Sequence, residues 1–506
     1  MSVFDGLLLG FSVSLQPVNL LYCFIGVLLG TLVGVLPGLG SAATIALLLP
    51  VTYGISPTAA IIMLAGIWYG SMYGGSTTSI LLRVPGESAS VMTCIDGFEM
   101  ARRGRAGAAL GIAAFASFIA GTIGLVGLVL LAPPLAEFAL DFGPPEYFAL
   151  TLVGLTLVSY LDAGPVAKAL AMAAVGLFLG TVGLDPVQSQ ERFTFGVLSL
   201  QGGIDLVPMV MGLFGVSQVL HLVRNRVALP ENAAPLGGFL SLLPNRQEWR
   251  DASGAIGRGT LVGFLVGLLP GAGGTISTYV AYALEKRRSP HPERFGKGAI
   301  EGVASPEAAN NAATGSGFIP LLTLGLPANV VMALMLGAFM LHGITPGPAL
   351  LVQKPDVFWG VITSMFIGNV MLLVLNLPLI GVFVRLARMR TAYLIPVIAV
   401  ACLIGSFAVN NNPVDILVML GFGVFAFYAE RFGFSMAPLV LAFVLGPLME
   451  TSLRQSLIIS GGSFAIFATR PISGALLALG LAMVMLPLAR WIMAQRAARV
   501  AGRPLA

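Results

Sequence analysis

Charge is what this chain has least of. Only 10% of its 506 residues are Asp, Glu, Lys or Arg, while 57% are hydrophobic; soluble domains run at about 25% charged and about 45–50% apolar. So few charges could not cover a body of this size with a water-facing surface, which excludes a soluble enzyme and a disordered chain. Cysteine is scarce as well. Cys23, Cys94 and Cys402 each lie in or beside an apolar stretch, at no spacing that a disulfide framework or metal site requires, and read as small buried apolar residues. The three histidines form no ligand cluster. There is no G-x-x-x-x-G-K-S/T loop, no H-E-x-x-H and no G-x-S-x-G, so ATP binding through such a loop, zinc proteolysis and serine hydrolysis have no residues to run on. No paired acid and base stand inside the apolar runs, so the chain reads as a non-enzyme without a cofactor. No Lys or Arg precedes Arg83, so the N-terminus lacks the positive region of a cleaved secretory signal.

What the chain has instead is long apolar runs, among them Ala106–Leu131 and Ile472–Met493. They are continuous, whereas a membrane β-barrel needs alternating segments of about ten residues. The fold class is therefore all-α polytopic membrane protein. At about 20 residues per crossing, the runs amount to roughly 12 spans, several of them broken. Candidate spans are 18–36, 57–74, 106–132, 146–161, 166–183 and 203–222, then 255–269, 303–319, 328–341, 357–384, 393–409, 414–429, 435–449 and 472–494. Phe4, Leu7, Leu8, Phe11 and Leu15 follow helical spacing, which predicts an interfacial helix over 1–16. A first half then runs over 17–223, a polar linker over 224–252 and a second half over 253–506. The linker carries Arg224, Arg226, Arg246 and Arg250, placing it on the cytoplasmic side. The net charge of +5 sits in such short clusters between spans and is no nucleic-acid footprint.

The two halves share a motif. Residues 26–40 read GVLLGTLVGVLPGLG and residues 259–273 read GTLVGFLVGLLPGAG, with 10 of 15 positions identical without gaps. Further on, Leu81-Leu82-Arg83-Val84-Pro85-Gly86 loosely echoes Leu321-Leu322-Thr323-Leu324-Gly325-Leu326-Pro327. In the first copy the early connector (Tyr53–Pro57) is uncharged and the later one holds Arg102, Arg103 and Arg105. In the second copy the early connector holds Lys286, Arg287, Arg288, Arg294 and Lys297, and the later one has neither Lys nor Arg. With basic loops in the cytoplasm, the copies lie upside down to one another, as in secondary transporters built from inverted-topology repeats, each here with a broken-helix, re-entrant hairpin.

The chemistry expected of these hairpins follows from helix breaking in lipid. Pro37 and Pro270 lack a backbone donor, and Gly38, Gly40, Gly271 and Gly273 allow positive φ. The chain should unwind there and restart at about Ser41 and Gly274; Pro85 and Pro327 mark the matching turns. Unwound backbone is tolerated at membrane depth only where it is buried or lines a cavity. A half-helix start offers free N–H groups to an anion, with Ser41, Thr44, Thr275, Ser277 and Thr278 adding hydroxyls. Freed carbonyls suit a cation, which makes the neighbourhoods of Gly38, Gly271, Thr314 and Thr323 candidates for Na⁺. The polar stretches containing Ser76, Thr77, Thr78 and Asn310, Asn311 could bind a carboxylate or pack helices through small residues. Arg83 could clamp a carboxylate or snorkel to the interface. Glu87 and Glu307 could bind a cation or proton, or cap and pair. Asp96 and Glu99, close to Arg102 and Arg103, read as structural ion pairs, as do Glu450 and Arg454 at i, i+4 spacing. Asp415 reads as a helix-start signal.

GVLPGLGSAATIALLLP, YGGSTTSILLRVPGESASVMTCIDGFEMARRGRAG, SPEAANNAATGSGFIPLLTLGLPAN, HGITPGPAL and PLVLAFVLGPLMETSLRQSL resemble the large membrane subunit (TctA type) of the tripartite tricarboxylate transporters, over about residues 20–460. The resemblance implies a multi-pass protein of the bacterial inner membrane, a symporter for citrate or another di- or tricarboxylate driven by Na⁺ or H⁺. Its implied partners are a small membrane subunit (TctB type) and a periplasmic solute-binding protein (TctC type); a homo-oligomer is also open. It implies too that the two LPGxG segments, here Pro37, Gly38, Gly40, Pro270, Gly271 and Gly273, are central to transport. Arg83 departs from the family pattern, which places a small polar residue there, often Asn. The alternatives are an anion channel and a transporter that works without a binding protein.

Overall fold

The computed structural model describes residues 2–36, 40–161, 164–185, 188–224, 239–271, 273–387, 391–483 and 485. Pro37 and Gly38, the middle of the linker and the end of the last candidate span lie outside the described residues.

The chain begins with α1 (Val3–Ser14), started by a capping box between Ser2 and Asp5. Phe4, Leu8, Phe11 and Leu15 are exposed while Gly6 and Gly10 are buried. The apolar stripe therefore faces outward, and the small residues let the backbone close on Trp359, the packing mode of helices in lipid. Next come α2 (Pro17–Val35), α3 (Ser41–Leu48), α4 (Pro57–Leu82), α5 (Val91–Arg102) and α6 (Ala106–Ala139). After them lie α7 (Pro144–Leu161), α8 (Val166–Leu179) and a two-strand antiparallel ribbon pairing Gly183 with Arg192.

A span over Leu206–Arg224 consists of α9 (Leu206–Val210), a π-helical turn (Met211–Val216) and α10 (Ser217–Arg224). The second half supplies α11 (Arg246–Gly267), α12 (Gly273–Arg288), α13 (Glu301–Ser316), α14 (Phe318–Leu324), α15 (Val330–Leu341), α16 (Leu350–Gln353) and α17 (Pro355–Asn376). It ends with α18 (Ile380–Ala387), α19 (Thr391–Asn410), α20 (Pro413–Arg431), α21 (Ala437–Ile459) and α22 (Ile466–Thr469). Among the described residues six helices are long and apolar enough to cross a membrane, with shorter apolar helices beside them. The protein is all-α apart from the ribbon, and multi-pass.

Two compact units form, each drawing on both halves of the sequence. One contains residues 1–139 and 205–432, the other 140–204 and 433–506. In the second unit α21 packs on α7 and α8. The expected Glu450–Arg454 pair is present at 2.8 Å. It belongs to a larger network, because Arg454 also reaches Asp185 at 2.9 Å and Arg192 bridges Asp185 and Glu450.

The first unit is organised by glycine. In α2, Gly26, Gly30 and Gly34 lie directly against the backbone carbonyls of Met63, Ile67 and Ser71 in α4. In α11, Gly259, Gly263 and Gly267 lie against backbone of Ser305, Ala309 and Ala313 in α13. A Cβ at any of the six would fall inside van der Waals contact. Glycine at every fourth position makes a smooth stripe, so each pair of helices meets backbone to backbone, as small-xxx-small interfaces do. The contact partners are spaced by four as well. The shared motif thus builds the same close helix pair twice.

Asp96 departs from the ion-pair expectation. Glu99 does pair with Arg102 at 3.0 Å, but the fully buried Asp96 accepts from the N–H groups of Gly296, Gly298 and Ala299 at 2.8–2.9 Å and from the Tyr282 hydroxyl at 2.8 Å. A nest of backbone donors satisfies a carboxylate as a cation would. It ties α5 to the loop between α12 and α13. The Asp415 expectation holds: α20 starts there, capped by the Asn412 side chain.

Candidate functional site

Both helix pairs break as the prolines and glycines require. α2 ends at Val35 and the chain is helical again from Ser41; α11 ends at Gly267 and α12 begins at Gly273, with Pro270 in the interval. Gly40, Gly271 and Gly273 all have positive φ, where a side chain would be strained. The later turns match too. α4 ends on Arg83 and α14 on Gly325, both left-handed, at φ 57° and 69°, just before Pro85 and Pro327. In the first copy an arginine therefore holds the position that glycine fills in the second.

The two restarts differ in what meets them. At α3, the Ser41 N–H donates to Glu87 Oε1 at 2.5 Å. The chain's own carboxylate thus takes the place that an anion favours at a helix start. The Thr44 hydroxyl turns back onto the Gly40 carbonyl at 2.9 Å. At α12, the Gly271 N–H donates to the Ala328 carbonyl at 2.7 Å, Ser277 bonds to the Gly274 carbonyl at 2.6 Å, and Thr278 to the Thr275 carbonyl at 2.7 Å. The Asn310 side chain, 1% exposed, reaches this restart from α13: a Cβ on Gly274 would stand 2.7 Å from its Oδ1. Among the described residues neither Oδ1 nor Nδ2 of Asn310 has a hydrogen-bond partner. Buried amides are almost always paired, which sets this one apart beside a helix N-terminus.

The Glu87–Ser88 turn touches both restarts. Ser88 Oγ, next to Glu87, lies 2.9 Å from Thr275 Oγ1 in the first turn of α12, and α15 packs on α3. Gly40, Ala42, Pro85, Gly86, Glu87 and Ser88 line one side of a cavity of about 300 Å³, with Gln218 and Glu430 also lining it. That volume is at the lower end for small-molecule pockets, about 300–1,000 Å³.

Other expected residues lie elsewhere. Ser76 Oγ turns to Glu307 Oε2 at 2.7 Å. Thr77 lines a separate small cavity, and Thr78 bonds to the Gly75 carbonyl at 3.3 Å. The Asn311 amide donates to the Glu307 carbonyl at 3.1 Å. Thr314 and Thr323 donate to the Asn310 and Ile319 carbonyls, at 2.8 and 2.7 Å. Arg83 is exposed and stacks over the Phe98 ring at 5.6 Å. Residues that sequence reasoning missed include Ser88, Thr93 and Ser117. The last two donate to Glu307, Thr93 at 2.5 Å and Ser117 at 3.2 Å. Hydroxyls of this kind are common in membrane helices, so no local signal marks them.

The model of the tripartite tricarboxylate transporter TctA family matches residues 20–441. Two proteins of Agrobacterium vitis are similar to the chain. An "Uncharacterized 52.8 kDa protein in TAR-I ttuC' 3'region" is 50% identical over 496 residues, covering 98% of each chain. An "Uncharacterized protein in TAR-II ttuC' 3'region" is 49% identical over 234 residues, 46% of this chain and 97% of that one. No solved structure matches. The chain belongs to the TctA family, and so to a family of membrane transporters rather than enzymes.

Proposed function

We propose that this TctA-family chain is the ion-coupled importer of a di- or tricarboxylate such as citrate in the bacterial inner membrane. It receives its substrate from a periplasmic binding protein of TctC type and works with a small membrane subunit of TctB type. One substrate carboxylate sits at the N-terminus of α12, held by its free N–H groups and the Asn310 amide, while Glu87 holds the N-terminus of α3. The observation that carries this reading is the buried Asn310 side chain beside that helix start, without a hydrogen-bond partner among the described residues. A carboxylate there satisfies the amide and takes the position that a helix dipole favours.

The glycine-packed pairs α2/α4 and α11/α13 support two copies of one unit, and the mirrored placement of basic loops supports their inversion within roughly 12 spans. Alternating access then moves the hairpin-bearing part against the remainder, in elevator fashion. The test is uptake of a panel of labelled carboxylates into proteoliposomes containing the chain and its companion subunits, with binding protein supplied, with and without ion gradients. Gradient-driven accumulation of one carboxylate is expected. Flux that only dissipates a gradient identifies an anion channel, and full transport without the binding protein identifies a stand-alone carrier.

A further inference from the structure

Glu307 belongs to neither half-helix start. It lies in the middle of α13, 1% exposed, and among the described residues it has no ion-pair partner. Three hydroxyls from three other helices converge on its carboxylate instead: Thr93 of α5 on Oε1 at 2.5 Å, Ser76 of α4 on Oε2 at 2.7 Å and Ser117 of α6 on Oε2 at 3.2 Å. One cavity of about 20 Å³ borders this cluster and a second of the same size lies one turn further along α13, each with room for a single water. Ser76, Ser117 and Tyr73 line one of them; Asn311, whose amide bonds to the Glu307 backbone, and Asn369 line the other. The Tyr73 hydroxyl donates to Asn369 Oδ1 at 2.9 Å and so joins the two.

A carboxylate buried in the helical core of a membrane transporter, with no ion-pair partner among the described residues, is a candidate functional group. We infer that Glu307 is the proton-carrying carboxyl that couples carboxylate uptake to a proton gradient, with the hydroxyl cluster and its two cavities as the proton's path. The inference rests on the transporter reading above and assigns the coupling ion within it.

Hydroxyls suit this task because each can donate to a carboxylate or accept from a carboxylic acid by rotating. Both protonation states of Glu307 are therefore satisfied without moving a helix. Sodium would need oxygens held apart around an ion; here the carboxylate and hydroxyl oxygens are in hydrogen-bond contact with each other. The titratable groups facing Glu307 are Tyr73 on α4 and Cys94 on α5. From α6 comes Ser117. Toward α11 and α12 the charged groups Arg258 and Glu285 are paired with one another at 2.6 Å, and Asp96 on α5 is held by its nest. In the step itself, a proton from the outer side binds the Glu307 carboxylate, crosses with the loaded carrier, and leaves to the inner side after substrate release, which restores the carboxylate.

The test uses proteoliposomes with the full chain, companion subunits and binding protein, and labelled citrate as probe. One unit of ΔpH supports about tenfold accumulation per coupled proton. Wild type should accumulate citrate under ΔpH alone. Glu307→Gln, fixed in the neutral shape, should lose accumulation while retaining citrate exchange across equal concentrations. Thr93→Val removes a donor to the ionised form, so the carboxyl stays protonated to higher pH. The pH of half-maximal ΔpH-driven uptake should then rise by about one unit, a shift that a packing role would not cause. Accumulation by wild type under a sodium gradient but not under ΔpH overturns the inference while leaving the transporter reading intact. So does undiminished ΔpH-driven accumulation in Glu307→Gln, or an unshifted pH profile in Thr93→Val. Failure of wild type to carry any carboxylate of the panel defeats the transporter reading itself.

Discussion

Replacing Asn310 by leucine keeps the branched outline, puts two methyl groups where the smaller oxygen and amino group stood, and removes both polar atoms. The Asn310 Oδ1 and Nδ2 are buried without partners among the described residues, and each such group costs about 1–3 kcal/mol. Relief of those two groups offsets the overpacking cost of about 1–3 kcal/mol for the larger side chain, so Asn310→Leu without substrate should be at least as stable as wild type. Binding should move the other way. A hydrogen bond to a charged group is worth about 1.5–3 kcal/mol, or about 10- to 150-fold in affinity. Thermal unfolding of the detergent-solubilised protein, with and without the transported carboxylate, reads both effects. Wild type should gain about 2.7 kcal/mol when substrate stands at a hundred times its dissociation constant. The variant should start no lower and gain far less at the same concentration. A variant that is markedly less stable without substrate, or that responds to substrate as wild type does, refutes the argument.

The glycine stripe can be tested inside one helix. Gly263→Ala pushes a Cβ into the backbone of Ala309 and should cost about 1–3 kcal/mol, whereas Gly257→Ala, with open space around it, should gain about 0.5–1 kcal/mol; equal unfolding temperatures would contradict the packing described. Glu87→Ala strips the acceptor from the Ser41 N–H and should cost about 1–3 kcal/mol in the same unfolding assay, with Glu87→Gln losing less because an oxygen remains. Asp96→Ala leaves three loop N–H groups without their acceptor and should speed tryptic cleavage at the exposed Arg294 and Lys297, while Asp96→Asn, keeping one oxygen, should speed it less. A cleavage rate unchanged in Asp96→Ala would mean that the nest does not order the loop.

Much of the architecture is legible in the sequence because lipid forces each span to be a long apolar run. The run expected at 106–132 starts where α6 starts. The helix continues to Ala139 through Pro133 and Pro134, because prolines are tolerated where neighbouring groups satisfy the freed backbone. The run expected at 57–74 stops at the polar GGSTTS stretch, yet α4 continues to Leu82. Its hydroxyls bond back to the preceding turn, as Ser79 does to the Gly75 carbonyl, or to Glu307, so the polar residues do not break the helix. The helix breaks themselves are local chemistry, proline beside glycine, and were readable as such. What the sequence could not show is pairing over long separations. Glu307 meets hydroxyls 190 to 231 positions away, and Asp96 meets a loop 200 positions away. Their donors are backbone amides and ordinary serines and threonines, which carry no pattern of their own. The division into two compact units, each drawing on both halves, is likewise set by packing that no linear motif records.

The most direct measurement is a structure of the full chain with its transported carboxylate bound, by electron cryomicroscopy in a lipid nanodisc. Density for a substrate carboxylate within hydrogen-bond distance of Asn310 Nδ2 and of the first free N–H groups of α12 is the predicted result. Substrate bound elsewhere, with the Asn310 amide paired to protein groups, would contradict it.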